Sequence, residues 1–283
     1  MKENEYPPQL LEIPQIPKQL YVEGTFPVEE NTLYLTVIGS RKHTAYGKDA
    51  CKKLIQGLAG YPIVIVSGLA LGIDTIAHET ALSVGLTTIA FPGSGLDRKV
   101  LYPRNNVRLA DEIIEHGGAL VSEFEPDFRA TLWTFPQRNR LMAGLSKATL
   151  LIEAEEKSGT LITARLALDY NRDVLAVPGP IFSDASIGTN TLIRNGATPI
   201  RNSTDILEAL GFDISGETIS KKEDTLKDCL PEELAVLEIL REPCDRDTLI
   251  GALEMSLPQA QALLSIMEIK GLITETFGEI RKT

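Results

Sequence analysis

The chain has 283 residues, of which 43% are hydrophobic and 24% charged, and its formal net charge is −11. It is long enough for one large domain with one or two small additions. Its sequence lacks a run of 18 apolar residues, a leader with basic and apolar regions, Cys-x-x-Cys spacing and a His pair at metal-ligand spacing. We therefore expect a cytoplasmic protein without a membrane span, a structural disulfide or a metal site.

The excess negative charge belongs to the two ends of the chain. Residues 31–210 carry 18 basic and 18 acidic side chains, whereas residues 1–30 carry 2 and 6 and residues 211–283 carry 8 and 15. A neutral middle region can still present one basic surface, and the sequence Arg138-Asn139-Arg140 with Lys147 and Lys157 is a candidate for it. The net charge alone therefore does not exclude a polyanionic partner.

From residue 31 to residue 212, short apolar runs alternate with longer helical patterns. The predicted strands are Leu35–Ile38, Ile63–Val66, Thr87–Ala90, Ala119–Val121, Thr149–Ile152 and Val174–Val177. The predicted helices are Ala45–Leu58, Asp74–Val84, Asn105–Glu115, Asn139–Leu145 and Leu161–Tyr170. This βαβ rhythm predicts an α/β domain with a mostly parallel sheet and helices on both faces. Right-handed crossovers then bring the carboxyl ends of the strands to one edge, where we expect the site.

Two turns of small residues lie at that edge, each between a predicted buried strand and a predicted helix. They are Ser67-Gly68-Leu69-Ala70-Leu71-Gly72-Ile73-Asp74 and Lys157-Ser158-Gly159-Thr160. Unpaired backbone N–H groups and the helix dipole make such a turn an anion site. Two phosphate-sized cradles suggest a ligand with several phosphates, which can be a nucleotide or a nucleic acid.

Arginines follow two further turns at the same edge. Gly39-Ser40-Arg41 and Phe135-Pro136-Gln137-Arg138-Asn139-Arg140 combine guanidinium groups with an amide and an aromatic ring. Arginine can bind a phosphate through two N–H donors, and an aromatic ring suits a base. Charged loop residues are often only solvated, but the shared edge favours a common site.

Other candidate motifs carry less weight. Asp74 and His78 stand four residues apart, as an acid/base pair could, but an Asp at a helix start is more often a cap, which we favour. Neither Gly-x-Gly-x-x-Gly nor Gly-x-x-x-x-Gly-Lys-Ser/Thr occurs in the sequence, which disfavours a dinucleotide site and an NTPase.

The motifs, taken in order, resemble those of the bacterial DNA processing protein A (DprA/Smf) family. The motifs together cover about 170 residues of the sequence, and the full set identifies the family far more specifically than any single motif does. It comprises Gly39-Ser40-Arg41 with Tyr46-Gly47, Ser67 to Asp74 with Ala77-His78, Tyr102-Pro103-Arg104-Asn105, Ser122-Glu123, Phe135 to Arg140, Lys157 to Thr160, Val177-Pro178-Gly179, and Gly188-Thr189-Asn190 with Leu192-Ile193 and Gly196-Ala197.

The resemblance implies an extended Rossmann-like domain that binds single-stranded DNA, dimerises, protects incoming strands and helps to load the RecA recombinase during natural transformation. It implies neither an enzyme nor a cofactor. Phosphate contacts of this kind give little sequence preference and strong salt dependence. The family's DNA-contacting positions correspond to Arg41, Ser67, Gly68, Gly72, Arg138, Asn139, Arg140, Lys157, Ser158, Gly159 and Thr160.

By the same resemblance, residues 1–30 form an N-terminal linker segment that leads into the Rossmann-like domain. The sterile-alpha-motif-like domain of longer family members is then expected to be absent. Partner contacts made through that domain in other members are in doubt for this chain.

The C-terminal region is predicted to be a linker, residues 213–230, followed by a winged-helix domain, residues 231–283. Three helices, Pro231–Arg241, Arg246–Glu254 and Pro258–Ile269, precede a hairpin about Phe277-Gly278. From Leu257 to Gly271 the only charged residues are Glu268 and Lys270. This composition favours protein contact or self-association over duplex binding.

The alternative function is an enzyme similar to the LOG-type nucleoside-monophosphate phosphoribohydrolases. In that alignment Glu155-Glu156-Lys157 replaces the Pro-Gly-Gly of the enzyme motif, and Thr163 replaces its catalytic glutamate. The acid needed for the glycosidic step is then missing. A purely structural protein is a third possibility, which leaves the motifs at the sheet edge without a use.

Overall fold

The structure is a computed structural model that describes residues 1–28, 32–214, 229–240, 242–253, 255–276 and 278–282. The chain divides into two compact units, Met1–Asp213 and Ile214–Thr283. Among the helices of these described ranges, none is both long enough and apolar enough to span a bilayer.

The first unit is built on an eight-stranded sheet with the order β1-β5-β4-β3-β2-β6-β7-β8. Only the β1–β5 pair is antiparallel, so the predicted mostly parallel sheet is confirmed. The interior strands are apolar on both sides, as expected for strands covered by helices. The strands are β1 (Tyr21–Gly24), β2 (Leu33–Ile38), β3 (Ile63–Ser67), β4 (Thr88–Ala90), β5 (Ala119–Ser122), β6 (Ala148–Leu151), β7 (Asp173–Ala176) and β8 (Thr198–Pro199).

Helices cover both faces of this sheet. Neighbouring residues of a strand point to opposite faces. In β5, Val121 belongs to the core cluster that contains Leu141 and Ala164, whereas Leu120 belongs to the cluster that contains Leu109 and Ile113. The predicted two-sided arrangement is therefore confirmed. The helices are α1 (Pro8–Leu11), α2 (Ala45–Gln56), α3 (Ile73–Ser83), α4 (Val107–Glu115), α5 (Thr134–Leu145), α6 (Thr160–Asp169), α7 (Ile187–Arg194) and α8 (Ser203–Ala209).

The N-terminal segment is part of the first unit and not the linker predicted for residues 1–30. Tyr6, Leu10 and Leu20 are buried in the main core, and Ile13 packs against Gly144 of α5. β1 then pairs with β5 along its whole length. Because this segment covers core side chains and completes the edge of the sheet, it stabilises the unit directly.

The sheet has a topological switch at β2. The chain passes from β2 to β3 on one side, and β6 lies on the other side of β2. In parallel α/β sheets, the loops that leave such a point diverge and open a crevice at the carboxyl ends of the strands. The turns predicted to bind anions follow β2, β3 and β6, so they meet at this crevice.

Within its described residues, the second unit has three helices and a small antiparallel sheet, as predicted for a winged helix. The helices are α9 (Pro231–Ile239), α10 (Arg246–Ala252) and α11 (Leu257–Ile269). The strands are β9 (Cys244–Asp245), β10 (Ile273–Thr276) and β11 (Glu279–Lys282), in the order β10-β11-β9. Its core includes Val236, Leu249, Leu264, Met267 and Ile280. Most of the predicted linker 213–230, and Phe277 of the hairpin, lie outside the described residues.

Candidate nucleic-acid interface

A cleft of about 570 Å³ occupies the crevice at the carboxyl ends of β2, β3 and β6. Its volume lies within the range of small-ligand sites. Six of the eleven predicted DNA-contacting residues line it: Arg41, Arg138, Asn139, Ser158, Gly159 and Thr160. The structure therefore brings together residues that lie up to 119 positions apart in the chain, from Arg41 to Thr160.

Arg138 is the most unusual of these residues because its guanidinium is buried, with 5% of the residue exposed. Nε donates a hydrogen bond to Asn139 Oδ1 at 3.2 Å, whereas Nη1 has no partner among the described residues. Burial lowers the pKa of Arg138 to about 10, with the Asp74 carboxylate opposing and Arg41 adding to the decrease. The side chain is therefore still a cation at neutral pH, and burying a charge with an unused donor is costly unless an anion completes the pair.

The turn from Ser67 to Asp74 is occupied by a carboxylate of the protein itself. Asp74 Oδ2 accepts the N–H groups of Gly68 at 3.0 Å and Ala70 at 3.4 Å. Burial raises the pKa of Asp74, while Arg138 and these two N–H groups act in the opposite direction. The expected row of unpaired N–H groups is therefore absent from Gly68 and Ala70, and Asp74 holds the turn instead of capping α3.

The glycine at position 68 allows this arrangement. A Cβ atom there would lie 2.4 Å from Arg138 Nη1 and 2.6 Å from Asp74 Oδ2. Gly72 has a φ of +86°, and a Cβ there would lie 2.3 Å from the Ser40 carbonyl oxygen. Ser67 is buried and donates to the Val37 carbonyl at 2.6 Å. These predicted site residues therefore shape the walls of the cleft and do not line it.

The turn before α6 is also partly satisfied internally. Ser158 Oγ accepts the Thr160 N–H at 3.2 Å and lies 2.7 Å from Thr160 Oγ1. The carbonyls of Ser158 and Gly159 accept the next two backbone N–H groups. What this turn directs into the cleft is the positive end of the α6 dipole with two hydroxyl groups. Lys157 is exposed on the same turn and does not line the cleft.

Arg41 is exposed at the mouth of the cleft, beside an aromatic surface. Its guanidinium carbon lies 5.3 Å from the centroid of the Phe135 ring, which is a cation–π distance. The Tyr102 ring lies 5.7 Å from Phe135. Arg41 and Phe135 therefore line the cleft together with the buried Arg138, and the Tyr102 ring adjoins Phe135.

Arg140, one of the predicted DNA-contacting residues, does not line the cleft, and its contact with DNA stays a prediction. Its Nη2 pairs with Glu123 at 2.5 Å, and its Nη1 donates to the Gln15 carbonyl. The sequence predicts a helix only from Asn139, but α5 begins at Thr134, because Pro136 is tolerated within a first helical turn. Two residues apart on a helix, side chains point about 200° apart, so Arg138 and Arg140 face different surroundings.

Several cleft residues were not singled out from the sequence. Lys42 and Glu155 add one charge of each sign, and Leu132 and Ile162 add apolar surface. Thr163, the position of the missing glutamate in the enzyme alignment, also lines the cleft. Tyr102 lines a smaller neighbouring hollow, and the Tyr102-Pro103-Arg104-Asn105 motif is the sequence signal that points to it. Within the described ranges, no group of three or more His, Cys, Asp and Glu side chains could hold a metal ion.

The fold and the cleft together define a Rossmann-like α/β protein with a crevice lined by Arg41 and Arg138 at the switch point of its sheet. The model of the DNA recombination-mediator protein A family matches residues 1–211. The chain belongs to this family, as its motifs indicate. The second unit, from Ile214 onward, lies beyond the matched residues.

Curated relatives agree with this assignment. Protein Smf of Escherichia coli is 44% identical over 207 residues, which are 73% of this chain and 54% of Smf. DNA processing protein DprA of Streptococcus pneumoniae is 41% identical over 207 residues, which are 73% of this chain and 72% of that protein. The chain thus matches only about half the length of E. coli Smf.

Two solved structures share the fold of the first unit. The X-ray structure of S. pneumoniae DprA has a TM-score of 0.68 and 38% identity, covering 75% of this chain and 74% of that one. DNA processing protein A of Helicobacter pylori, described for its single-stranded DNA binding mode, has a TM-score of 0.66 and 35% identity, covering 73% of this chain and 93% of that one.

Proposed function

We propose that the first unit binds single-stranded DNA by holding backbone phosphates in the cleft. The observation that carries this proposal is the buried Arg138 guanidinium, whose Nη1 has no partner among the described residues. A phosphate oxygen supplies the missing acceptor, and Arg41 and the α6 N-terminus add attraction to the same anion. Asn139, Ser158, Gly159 and Thr160 provide further polar surface, with Lys157 as an exposed cation nearby.

The aromatic rings beside the cleft favour a single strand over a duplex. Phe135 and Tyr102 adjoin Arg41, so bases next to a bound phosphate meet ring surfaces. Stacking on a side chain requires a base whose face is free, which a paired and stacked duplex does not offer. Stacking and phosphate contacts do not distinguish between bases, and we expect little sequence preference.

The wider role follows from the family and is part of the same proposal. The protein acts in the cytoplasm as a dimer, protects incoming single strands and helps to load RecA during natural transformation. It works by binding and not by catalysis, since the nearest enzymatic motif has Thr163 where an acid is needed.

The test is equilibrium binding of fluorescent single-stranded and duplex oligonucleotides of one sequence. We expect tighter binding of the single strand and a loss of affinity in Arg41→Ala and Lys157→Ala. Arg108→Ala is the matched control, because Arg108 is exposed on α4 and pairs with Glu112 outside the cleft. Equal affinity for both forms of DNA, or unchanged affinity in both Arg41→Ala and Lys157→Ala, would contradict the proposal.

A further inference from the structure

The segment that carries the Tyr102-Pro103-Arg104-Asn105 motif is fixed against the glycine turn of the cleft. Asn106, which follows the motif and is buried, donates from Nδ2 to the Leu69 carbonyl and to Thr75 Oγ1, both at 2.8 Å. A buried side chain with two such bonds holds its backbone in place. Tyr102 is therefore presented on an anchored segment beside the turn.

A small hollow of about 30 Å³ lies between this segment and the turn. It shares Arg41, Ala70 and Phe135 with the larger cleft, so the two are continuous at the surface. Its other lining residues are Gly68, Leu71, Tyr102 and Pro103. A strand whose phosphate lies at Arg41 therefore reaches Tyr102 and Leu71 next.

Tyr102, and not Phe135, offers the more accessible aromatic surface. Phe135 is only partly exposed, and the Arg41 guanidinium already lies over its ring. Tyr102 is 46% exposed, and its ring is inclined at 55° to that of Phe135. Leu71, which lines the same hollow, is 44% exposed. Two exposed apolar side chains thus stand beside a polar anion site.

We propose that Tyr102 and Leu71 form a nucleobase subsite, which takes the base of the nucleotide next to the phosphate held by Arg41. This inference rests on the proposed function and adds a contact that the phosphate site does not contain. The face of an unpaired base stacks on the Tyr102 ring, and Leu71 contacts its edge. Every base has such a face, so the subsite adds affinity without reading the sequence.

The test compares an oligothymidine with an abasic oligonucleotide of the same length and backbone, for the parent protein, Tyr102→Leu and Tyr102→Phe. We expect Tyr102→Leu to bind the oligothymidine about 10-fold more weakly, because the base no longer stacks on a ring. Tyr102→Phe keeps the ring and is expected to bind as the parent does. On the abasic strand the three proteins are expected to bind equally, since the phosphate contacts are unchanged.

Unchanged oligothymidine affinity in Tyr102→Leu would overturn the subsite, and so would an equal loss on the abasic strand. Failure of the parent protein to bind either strand would instead contradict the proposed function. The fluorescence of Trp133, the single tryptophan of the chain, reports whether each variant is folded. If Tyr102→Leu is unfolded, Leu71→Ala replaces it, with the same expected contrast between the two strands.

Discussion

The cleft of the first unit and the described part of the second unit both carry basic side chains, but these side chains differ in what they already bind. Arg138 keeps an unpartnered Nη1 in the cleft, among the residues that the structure describes. In the second unit Arg246 pairs with Glu268 at 2.6 Å and Glu275 at 2.7 Å, and Lys270 pairs with Glu233 at 2.6 Å. A cation whose donors are satisfied by carboxylates has little attraction left for phosphate. We therefore expect the capacity to bind a polyanion to depend on unpaired donors, and not on the net charge of −11.

The surface of α11 fits this contrast. Ile266 and Ile269 are exposed there, and the two charged residues near its end are both in ion pairs. The interpretation of this unit as a protein-contact or self-association module stays a prediction. Retardation of duplex DNA by residues 225–283 alone at physiological salt would contradict it.

The largest expected effects are on stability and DNA affinity, and they differ between Arg138 and Arg140 of α5. Arg140→Met leaves Glu123 with only Gln137 as a side-chain donor within the described ranges, and we expect the free energy of unfolding of the first unit to fall by about 3 kcal/mol. Arg138→Met removes a cation that no carboxylate fully compensates, so we expect a smaller loss of stability. The same variant should bind single-stranded DNA about 30-fold more weakly. Urea unfolding followed by Trp133 fluorescence, with binding measured in parallel, checks both.

The contrast between the two arginines would be contradicted if Arg140→Met lowered DNA affinity and Arg138→Met caused the larger loss of stability. A folded Arg140→Met protein with a cleft-like loss of DNA affinity would show that Arg140 contacts the strand. The double variant Arg140→Met with Glu123→Gln is the control, since it removes the orphaned charge and should recover part of the stability.

A second, smaller effect concerns the pH dependence of the first unit. Burial, with a contribution from Arg138, lowers the pKa of His78 to about 3, from an ordinary value of about 6.5. Below pH 6.5 the unfolded chain takes up a proton that the folded one does not, so the free energy of unfolding falls as the pH falls. By pH 5 the decrease is about 2 kcal/mol.

The check is urea unfolding at pH 7 and pH 5 for the parent and His78→Asn. We expect the variant to lose this part of the pH dependence. Asp74, with its raised pKa, is present in both proteins and cancels in the comparison. Equal pH dependence in the two proteins would show that His78 is not held neutral by its surroundings.

Much of the fold could be predicted because its signals are local. The buried strands β2, β3 and β6 are apolar runs without alternation, and they follow directly from the sequence. β1 was missed, because Tyr21–Gly24 is short, only partly buried and without a period-2 pattern. Its place is decided by pairing with β5, about a hundred residues away, between Tyr21 and Ser122.

The site was predictable as an edge of the sheet but not in its hydrogen bonds. The right-handed crossovers of the βαβ pattern are enough to predict that Arg41, Arg138 and Thr160 lie at one edge of the sheet. The strand order that makes this edge a switch point is known only from the structure. It cannot show that Asp74 takes the N–H groups of Gly68 and Ala70, because this depends on side-chain packing. The sequence would also have separated Arg140 from Arg138 if the predicted helix had begun at Thr134, because residues two apart on a helix point to different sides.

The most direct test of unpaired donors as the basis of binding is the salt dependence of single-stranded DNA affinity. Each phosphate that the protein no longer neutralises decreases the magnitude of the slope of log K against log salt by about 0.7. We predict this decrease in Arg41→Ala and an unchanged slope in Arg246→Ala, whose guanidinium is already paired. The same slope in Arg41→Ala as in the parent, or a smaller one in Arg246→Ala, would contradict the account.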